Sequence, residues 1–166
     1  MRELDRQTTD ADLPSRCAVV GAGRMGTAMA AALGDAGFTV DGPLDRGTEA
    51  AGADIALLCV PDSEIGAASA SIAPGRLVGH CSGATGLAPL GHEQAFALHP
   101  LMTVTEDGAR FAGAGAAVAG SSERALGVAA GLARRLGMRP FVIDDEDRAA
   151  YHAAASLASN FLVTLE

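Results

Sequence analysis

Gly21-Ala-Gly23-Arg-Met-Gly26 sets glycines at the spacing G-x-G-x-x-G, directly after the apolar run CAVV and directly before an alanine-rich stretch. At a strand-to-helix junction this spacing suits the pyrophosphate of a dinucleotide. Gly21 permits a tight turn, Gly23 lets the backbone approach the phosphates, and Gly26 lets the helix pack close to its strand, so that the amides around Arg24 and Met25 face the ligand. The competing reading is a helix-initiating glycine turn with no ligand. A kinase-type glycine loop needs H-R-D and D-F-G segments downstream, and a Walker A loop ends in G-K-[ST]; the sequence has neither.

About 20 residues past such a loop lies the position that meets the adenosine ribose. Here the stretch is Leu44-Asp45-Arg46-Gly47-Thr48. Asp45 suits a 2′-hydroxyl, whereas Arg46 and Thr48 suit a 2′-phosphate, and Arg24 adds a second cation. NADP is the expected cofactor and NAD the alternative. For Arg46 the competing reading is a solvated loop charge.

Three further segments could carry a reaction, because ligands of such folds sit at the carboxyl ends of strands. Val60-Pro61-Asp62 closes one strand and borders the cofactor, Cys81-Ser82-Gly83 closes the next, and His99-Pro100 closes a third. Reduction of a carbonyl or imine needs a proton donor poised near neutral pH, and histidine suits this. His99 is the expected donor and Ser82 its hydrogen-bonding partner, with His152 and Asn160 approaching from a terminal helix. Against these stand plainer readings: His99 as part of a strand-end turn, Asn160 as a partner for a backbone group, His80 as a structural hydrogen bond and His92 as surface. Cys17, Cys59 and Cys81 fall in predicted strands, where buried inert thiols are the default, and Cys81 alone has a position suited to the site. No His, Cys or Asp spacing suits zinc, so no metal is expected.

The elements that must position these residues alternate. Strands are predicted at 17–23, 38–44, 53–61, 76–83, 95–101, 113–120 and 139–143, with helices at 24–37, 63–75 and 122–137. This pattern implies an α/β fold, a doubly wound and mainly parallel Rossmann sheet with helices on both sides. Residues 1–15 read as a flexible polar lead, 16–144 as the NAD(P)-binding domain and 145–166 as the opening of a helix that leaves the sheet. In that last stretch Tyr151, Ala154, Ala158, Leu162 and Leu165 form an apolar stripe at helical period, behind the acidic cluster Asp144–Asp147.

The 166 residues carry a formal charge of -8, which argues against nucleic acid or an anionic membrane as partner. Three cysteines without metal spacing suit a reducing cytosol. The polar start resembles no signal peptide, and no apolar run reaches spanning length, so a cytoplasmic location is expected.

Taken together, the glycine loop, ALLCVPDSEI, HCSGATGL, ALHPL and DDEDRAAYHAAASLASNFL resemble a bacterial family of Rossmann-like oxidoreductases whose C-terminal domain was long labelled as of unknown function. The family is part of the wider group with 6-phosphogluconate dehydrogenase-like helical C-terminal domains, which includes pyrroline-5-carboxylate and ketopantoate reductases. The resemblance implies that an all-helical domain follows the sheet and builds a homodimer, beginning with the helix at 145–166; the chain therefore looks truncated. It also implies an NADP-dependent oxidoreductase acting on a small carbonyl or imine substrate, the alternative being a non-catalytic dinucleotide-binding or interaction module. One departure matters. Hydroxyacid dehydrogenases of the group carry a catalytic lysine one turn before an asparagine on this helix, and here Ser156 stands one turn before Asn160. Their mechanism does not transfer.

Overall fold

The computed structural model describes residues 2–3, 13–105 and 108–164, with the side chains of 2–3 and 159–164 outside that description. Most of the predicted polar lead therefore lies outside the described residues. Eight strands form one sheet: β1 (Arg2–Glu3), β2 (Arg16–Val20), β3 (Thr39–Leu44), β4 (Ile55–Leu58), β5 (Leu77–His80), β6 (Gln94–Leu101), β7 (Gly115–Gly120) and β8 (Arg139–Val142). Their order is β1-β8-β7-β6-β5-β4-β2-β3. Helices α1 (Arg24–Asp35), α2 (Ile65–Ala70) and α3 (Glu123–Arg135) connect strands, and α4 (Arg148–Thr164) follows the sheet.

Side-chain alternation along the strands builds the two layers. On β2, Cys17 and Val19 join Met29, Leu33, Val128 and Leu132 on the face covered by α1 and α3. Ala18 and Val20 join Ile65, Ala68 and Ile72 on the face covered by α2. A strand buried on both faces reads as a continuous apolar run, and β4, Ile-Ala-Leu-Leu, is buried at every position. The sheet is thus doubly wound, as the alternation predicts. Small residues also make room within the sheet: Gly79 on β5 pairs with the fully buried Phe96 on β6, and a Cβ at Gly79 would overlap its ring.

One part of the sheet departs from strict parallel alternation. β7 runs antiparallel to β6, with Phe96 opposite Gly120 and Leu101 opposite Gly115. No helix separates the two strands among the described residues, and without a crossover the chain simply reverses direction. Helix α3 then restores the pattern, so β8 is parallel to β7. Its ends follow capping rules: Ser122 Oγ accepts from Ala125 N, Glu123 opens the first turn, and Arg134 and Arg135 close the last.

From β2 the chain first moves outward to β3 and then crosses back to β4, β5 and β6 on the other side. The junction between β2 and β4 is therefore the topological switch point, where a crevice opens at the carboxyl ends of the strands. Every predicted site segment except the one on α4 leaves a strand at this edge.

Candidate functional site

The glycine loop joins β2 to α1 at the switch point. Gly21 has φ 111°, a region that favours glycine, and a Cβ there would overlap the Cys59 carbonyl oxygen. Its amide donates to the Leu44 carbonyl at 2.8 Å, which ties the loop to the end of β3. A Cβ at Gly26 would overlap the Gly21 carbonyl oxygen, so α1 packs directly on the turn that precedes it. Gly23 differs from both. It is the N-cap of α1, no side chain caps the helix, and a Cβ there would meet nothing within 4 Å. The first-turn amides of a 12-residue helix thus open onto free space, without a side-chain oxygen in front of them. These residues fit a dinucleotide pyrophosphate, because the two closed glycines fix the loop and the open one leaves room for phosphate.

Asp45 and Arg46 follow β3 at the same edge, and both are exposed. Arg46 Nη1 lies 3.6 Å from Glu64 Oε2 in an ion pair whose side chains are 60% and 44% exposed. Thr48 Oγ1 donates to the Asp45 carbonyl at 2.7 Å, so its hydroxyl proton is used within its own turn. Nothing in the sequence marks Glu64 for this position; it reaches Arg46 from the turn that follows Val60-Pro61.

The loop after β5 is built around two side chains. His80 is fully buried; its Nδ1 accepts from Ser82 N at 3.2 Å, so its proton sits on Nε2 and goes to the Gly86 carbonyl at 3.1 Å. Burial lowers its pKa below the ordinary histidine value, against the opposing hydrogen bond to Gly86. This histidine is a neutral structural clamp on its loop. Ser82 Oγ donates to Asp62 Oδ2 at 2.8 Å and accepts from the amides of Ala84 and Thr85 at 3.2 and 2.9 Å. Its expected partnership with His99 is not made: the hydroxyl is held by its own loop and by Asp62.

His99 near the end of β6 is partnered by Tyr151 on α4, whose hydroxyl lies 2.6 Å from His99 Nδ1, with the two rings edge-to-face at 5.7 Å. The ring lies against Gly83, where a Cβ would come within 2.8 Å of Cε1. Burial, then the charges of His152 and Arg148, lower the His99 pKa to about 4. Burial raises Tyr151 to about 12, with Arg148 opposing. At neutral pH the tyrosine is therefore the donor and Nδ1 the acceptor, which fixes the remaining imidazole proton on Nε2. His99 therefore differs from a donor that titrates near neutral pH, because burial, its largest influence, keeps the ring uncharged there. In the sequence Tyr151 stands out only as part of an apolar stripe, and its i, i+3 spacing from Arg148 is the signal for a larger role.

His152 is exposed, and Asn160 lies on α4 with its side chain outside the described residues. Of the apolar stripe, Tyr151 is half-buried, Ala154 and Ala158 are exposed, and the side chains of Leu162 and Leu165 lie outside the described residues; Leu157, on the same helix, is 68% exposed. His92, read as surface, reaches the Ser69 carbonyl at 3.2 Å. Cys17 is fully buried, with its thiol pushed up to about 12 mainly by burial. Cys59 and Cys81 close β4 and β5 side by side, their sulfurs 3.7 Å apart, and this contact with burial raises the Cys59 thiol well above its ordinary value. A groove of about 520 Å³ between α2 and residues 89–93 is lined by Ser69 and His92 and by none of the glycine-loop, Ser82 or His99 groups. Among the described residues, no three His, Cys, Asp or Glu side chains gather as a metal site, and no helix is long and apolar enough to cross a membrane.

A family model described as a domain of unknown function (DUF2520) matches residues 114–166, from β7 to the end of the chain. No curated protein matches the sequence. The chain is similar in structure to a Bacteroides fragilis protein provisionally named an NADP oxidoreductase (TM-score 0.73, 19% identity, 92% of this chain and 68% of that one). It is similar to an NADH-preferring ketol-acid reductoisomerase from an uncultured archaeon (TM-score 0.76, 19% identity, 97% of this chain and 62% of that one). A Plasmodium falciparum pyrroline carboxylate reductase, solved with NADP bound, also resembles it (TM-score 0.67, 13% identity, 90% of this chain and 65% of that one). The chain thus spans about two thirds of the length of these proteins. Together with the strand order and the glycine loop, these likenesses establish the fold as α/β, a doubly wound, mainly parallel Rossmann-like sheet.

Proposed function

We propose that the chain binds NADP at the glycine loop and serves a reductase of a small carbonyl or imine substrate, with His99 and Tyr151 as the proton-handling pair. One observation carries this reading: the open N-cap of α1 and the His99–Tyr151 pair stand at the same edge of the sheet, with the Val60-Pro61 and Cys81–Gly83 loops between them. The provisional name of the Bacteroides protein and the NADP in the Plasmodium reductase support the choice of cofactor. Gly21, Gly23, Arg24, Met25 and Gly26 would cradle the pyrophosphate, Asp45 and Arg46 the ribose end, and Val60, Pro61 and Cys81 would line the path toward the nicotinamide.

A bound dinucleotide supplies the hydride. The protein supplies the proton: neutral His99 presents Nε2–H to the accepting oxygen or nitrogen and gives up that proton as negative charge develops there. Tyr151 then passes its hydroxyl proton to Nδ1, which keeps the imidazole neutral throughout. The nearby guanidinium of Arg148 favours the resulting phenolate.

Calorimetric titration with NADPH and NADH at one fixed salt concentration tests the cofactor reading. Micromolar binding is expected, and no heat with either would remove it. Binding without hydride transfer to any carbonyl or imine would favour the non-catalytic module instead.

The ribose end gives a sharper expectation. An exposed ion pair contributes only about 0–1 kcal/mol, so a 2′-phosphate displaces Glu64 from Arg46 at little cost. Arg46→Ala should weaken NADPH by about tenfold or more and leave NADH nearly unchanged. Glu64→Gln should tighten NADPH by up to about fivefold. Equal losses for both cofactors in Arg46→Ala would mean that Arg46 touches no phosphate.

We further propose that the chain self-associates through α4, whose Leu157 is 68% exposed. Leu157→Glu should lower the sedimentation mass from dimer to monomer. An unaltered mass would show that this face is not the interface.

A further inference from the structure

Arg148 opens α4 three residues before Tyr151, yet only 3% of it is exposed. Its Nε donates to Asp145 Oδ1 at 3.1 Å, whereas Nη2 is enclosed and meets no acceptor among the described residues. A charged donor enclosed without a partner is among the costlier arrangements a fold can hold, and it calls for an acceptor that arrives from elsewhere. Asp145 answers the charge only in part, because its side chain is 59% exposed and screened by solvent. The location is informative as well: Arg148 stands one turn before Tyr151 on α4, Tyr151 is hydrogen-bonded to His99, and the Arg148 charge is felt by both.

We propose that Arg148 receives a carboxylate of the substrate through this unpaired Nη2, which makes the substrate a small acid whose carbonyl or imine carbon lies within reach of His99. The proposal rests on the function proposed above and narrows its substrate class. A planar guanidinium with a free donor matches a carboxylate in shape as well as charge. Two carboxylates already face the region. Asp62 takes the Ser82 hydroxyl and Asp145 takes Arg148 Nε, so the incoming anion is held by a directed hydrogen bond and not by a net positive field. The exposed Asp145 is the group that such an anion would replace. A small probe should therefore bind weakly, with a Kd on the order of millimolar.

The composition provides a selective readout, since Tyr151 is the one tyrosine of the chain and there is no tryptophan. Tyrosine emission of the full chain is followed during titration with propionate and, separately, with its uncharged analogue propionamide. Propionate should give a saturable change and propionamide none. Arg148→Gln should weaken the propionate response by about tenfold or more. Asp145→Asn, at an exposed position that leaves the fold intact, should tighten it several-fold. A wild-type protein that does not respond to propionate, that responds equally to propionamide, or whose response is unmoved by Asp145→Asn would overturn the assignment. NADPH titration of the same samples separates the two readings: NADPH binding without a propionate response sinks the carboxylate site alone, and the reverse sinks the dinucleotide loop alone.

Discussion

Gly23→Val is expected to leave the protein folded and to lower dinucleotide affinity by at least about a hundredfold. The first half follows from the free space at this position, where a Cβ meets nothing within 4 Å, and from a backbone at φ -78°, ψ -178° that a β-branched residue adopts without strain. The second half follows from the same free space, since it is the route by which phosphate oxygens reach the first amides of α1. Two branched methyl groups would occupy it and hold the phosphates beyond hydrogen-bonding distance. Gly26→Ala provides the contrast. Its new methyl would overlap the Gly21 carbonyl, forcing α1 away from the turn and destabilising the fold by about 3 kcal/mol. Thermal melts and calorimetry on both variants decide the matter. If Gly23→Val binds NADPH as the wild type does, the loop is a structural turn and the dinucleotide reading fails. A large drop in melting temperature for Gly23→Val would equally remove the inference, because binding would then be lost with the fold.

The loop was legible because its function is written in residue types: only glycine fits at Gly21 and Gly26, and the periods on either side mark strand and helix. The same holds for the sheet, whose apolar runs and breaks give nearly every element. The direction of β7 was not legible in this way. A run such as GAGAAVAG has the same pattern parallel or antiparallel, and only the missing helix before it points to a reversal. The site was legible by position but not by partnership. His99 and Ser82 do stand at neighbouring strand ends, yet Ser82 binds Asp62 across from β4, and His99 binds a tyrosine 52 residues away. Contacts of that sequence separation leave no local periodicity. The charge state of His99 was illegible for a related reason. Histidine type suggests a group that titrates near neutral pH, whereas the burial that chiefly lowers it to about 4 belongs to the folded chain. Arg148 makes the same point, since an arginine behind four acidic residues reads as a solvated helix start until its 3% exposure is seen.

Tyr151→Phe should slow hydride transfer about a hundredfold while leaving NADPH affinity unchanged, since the tyrosine stands on α4 and the glycine loop lies between β2 and α1. Phenylalanine keeps the ring that packs edge-to-face on His99 and Phe141, so the loss would report the hydroxyl and not the packing. Without that donor, Nδ1 can carry the imidazole proton itself, and the fixed Nε2–H tautomer on which proton delivery depends is lost. The pH profile adds a second reading. In the wild type, His99 at about 4 and Tyr151 at about 12 leave both groups neutral across the intervening range, so the rate of hydride transfer should be flat from about pH 5 to about pH 11. The same shifts set the limits of stability. The lowered histidine contributes fully above its unfolded value near 6.5 and loses its contribution as pH falls toward 4. The raised tyrosine contributes below 10 and loses its contribution as pH rises toward 12. A wild-type rate that rises or falls with a midpoint near pH 6.5 would mean that His99 works as an ordinary, solvent-facing histidine, and the neutral relay through Tyr151 would be wrong. If the profile is flat and Tyr151→Phe loses rate, the pair acts as a unit whose chemistry depends on keeping charge out until the substrate develops it.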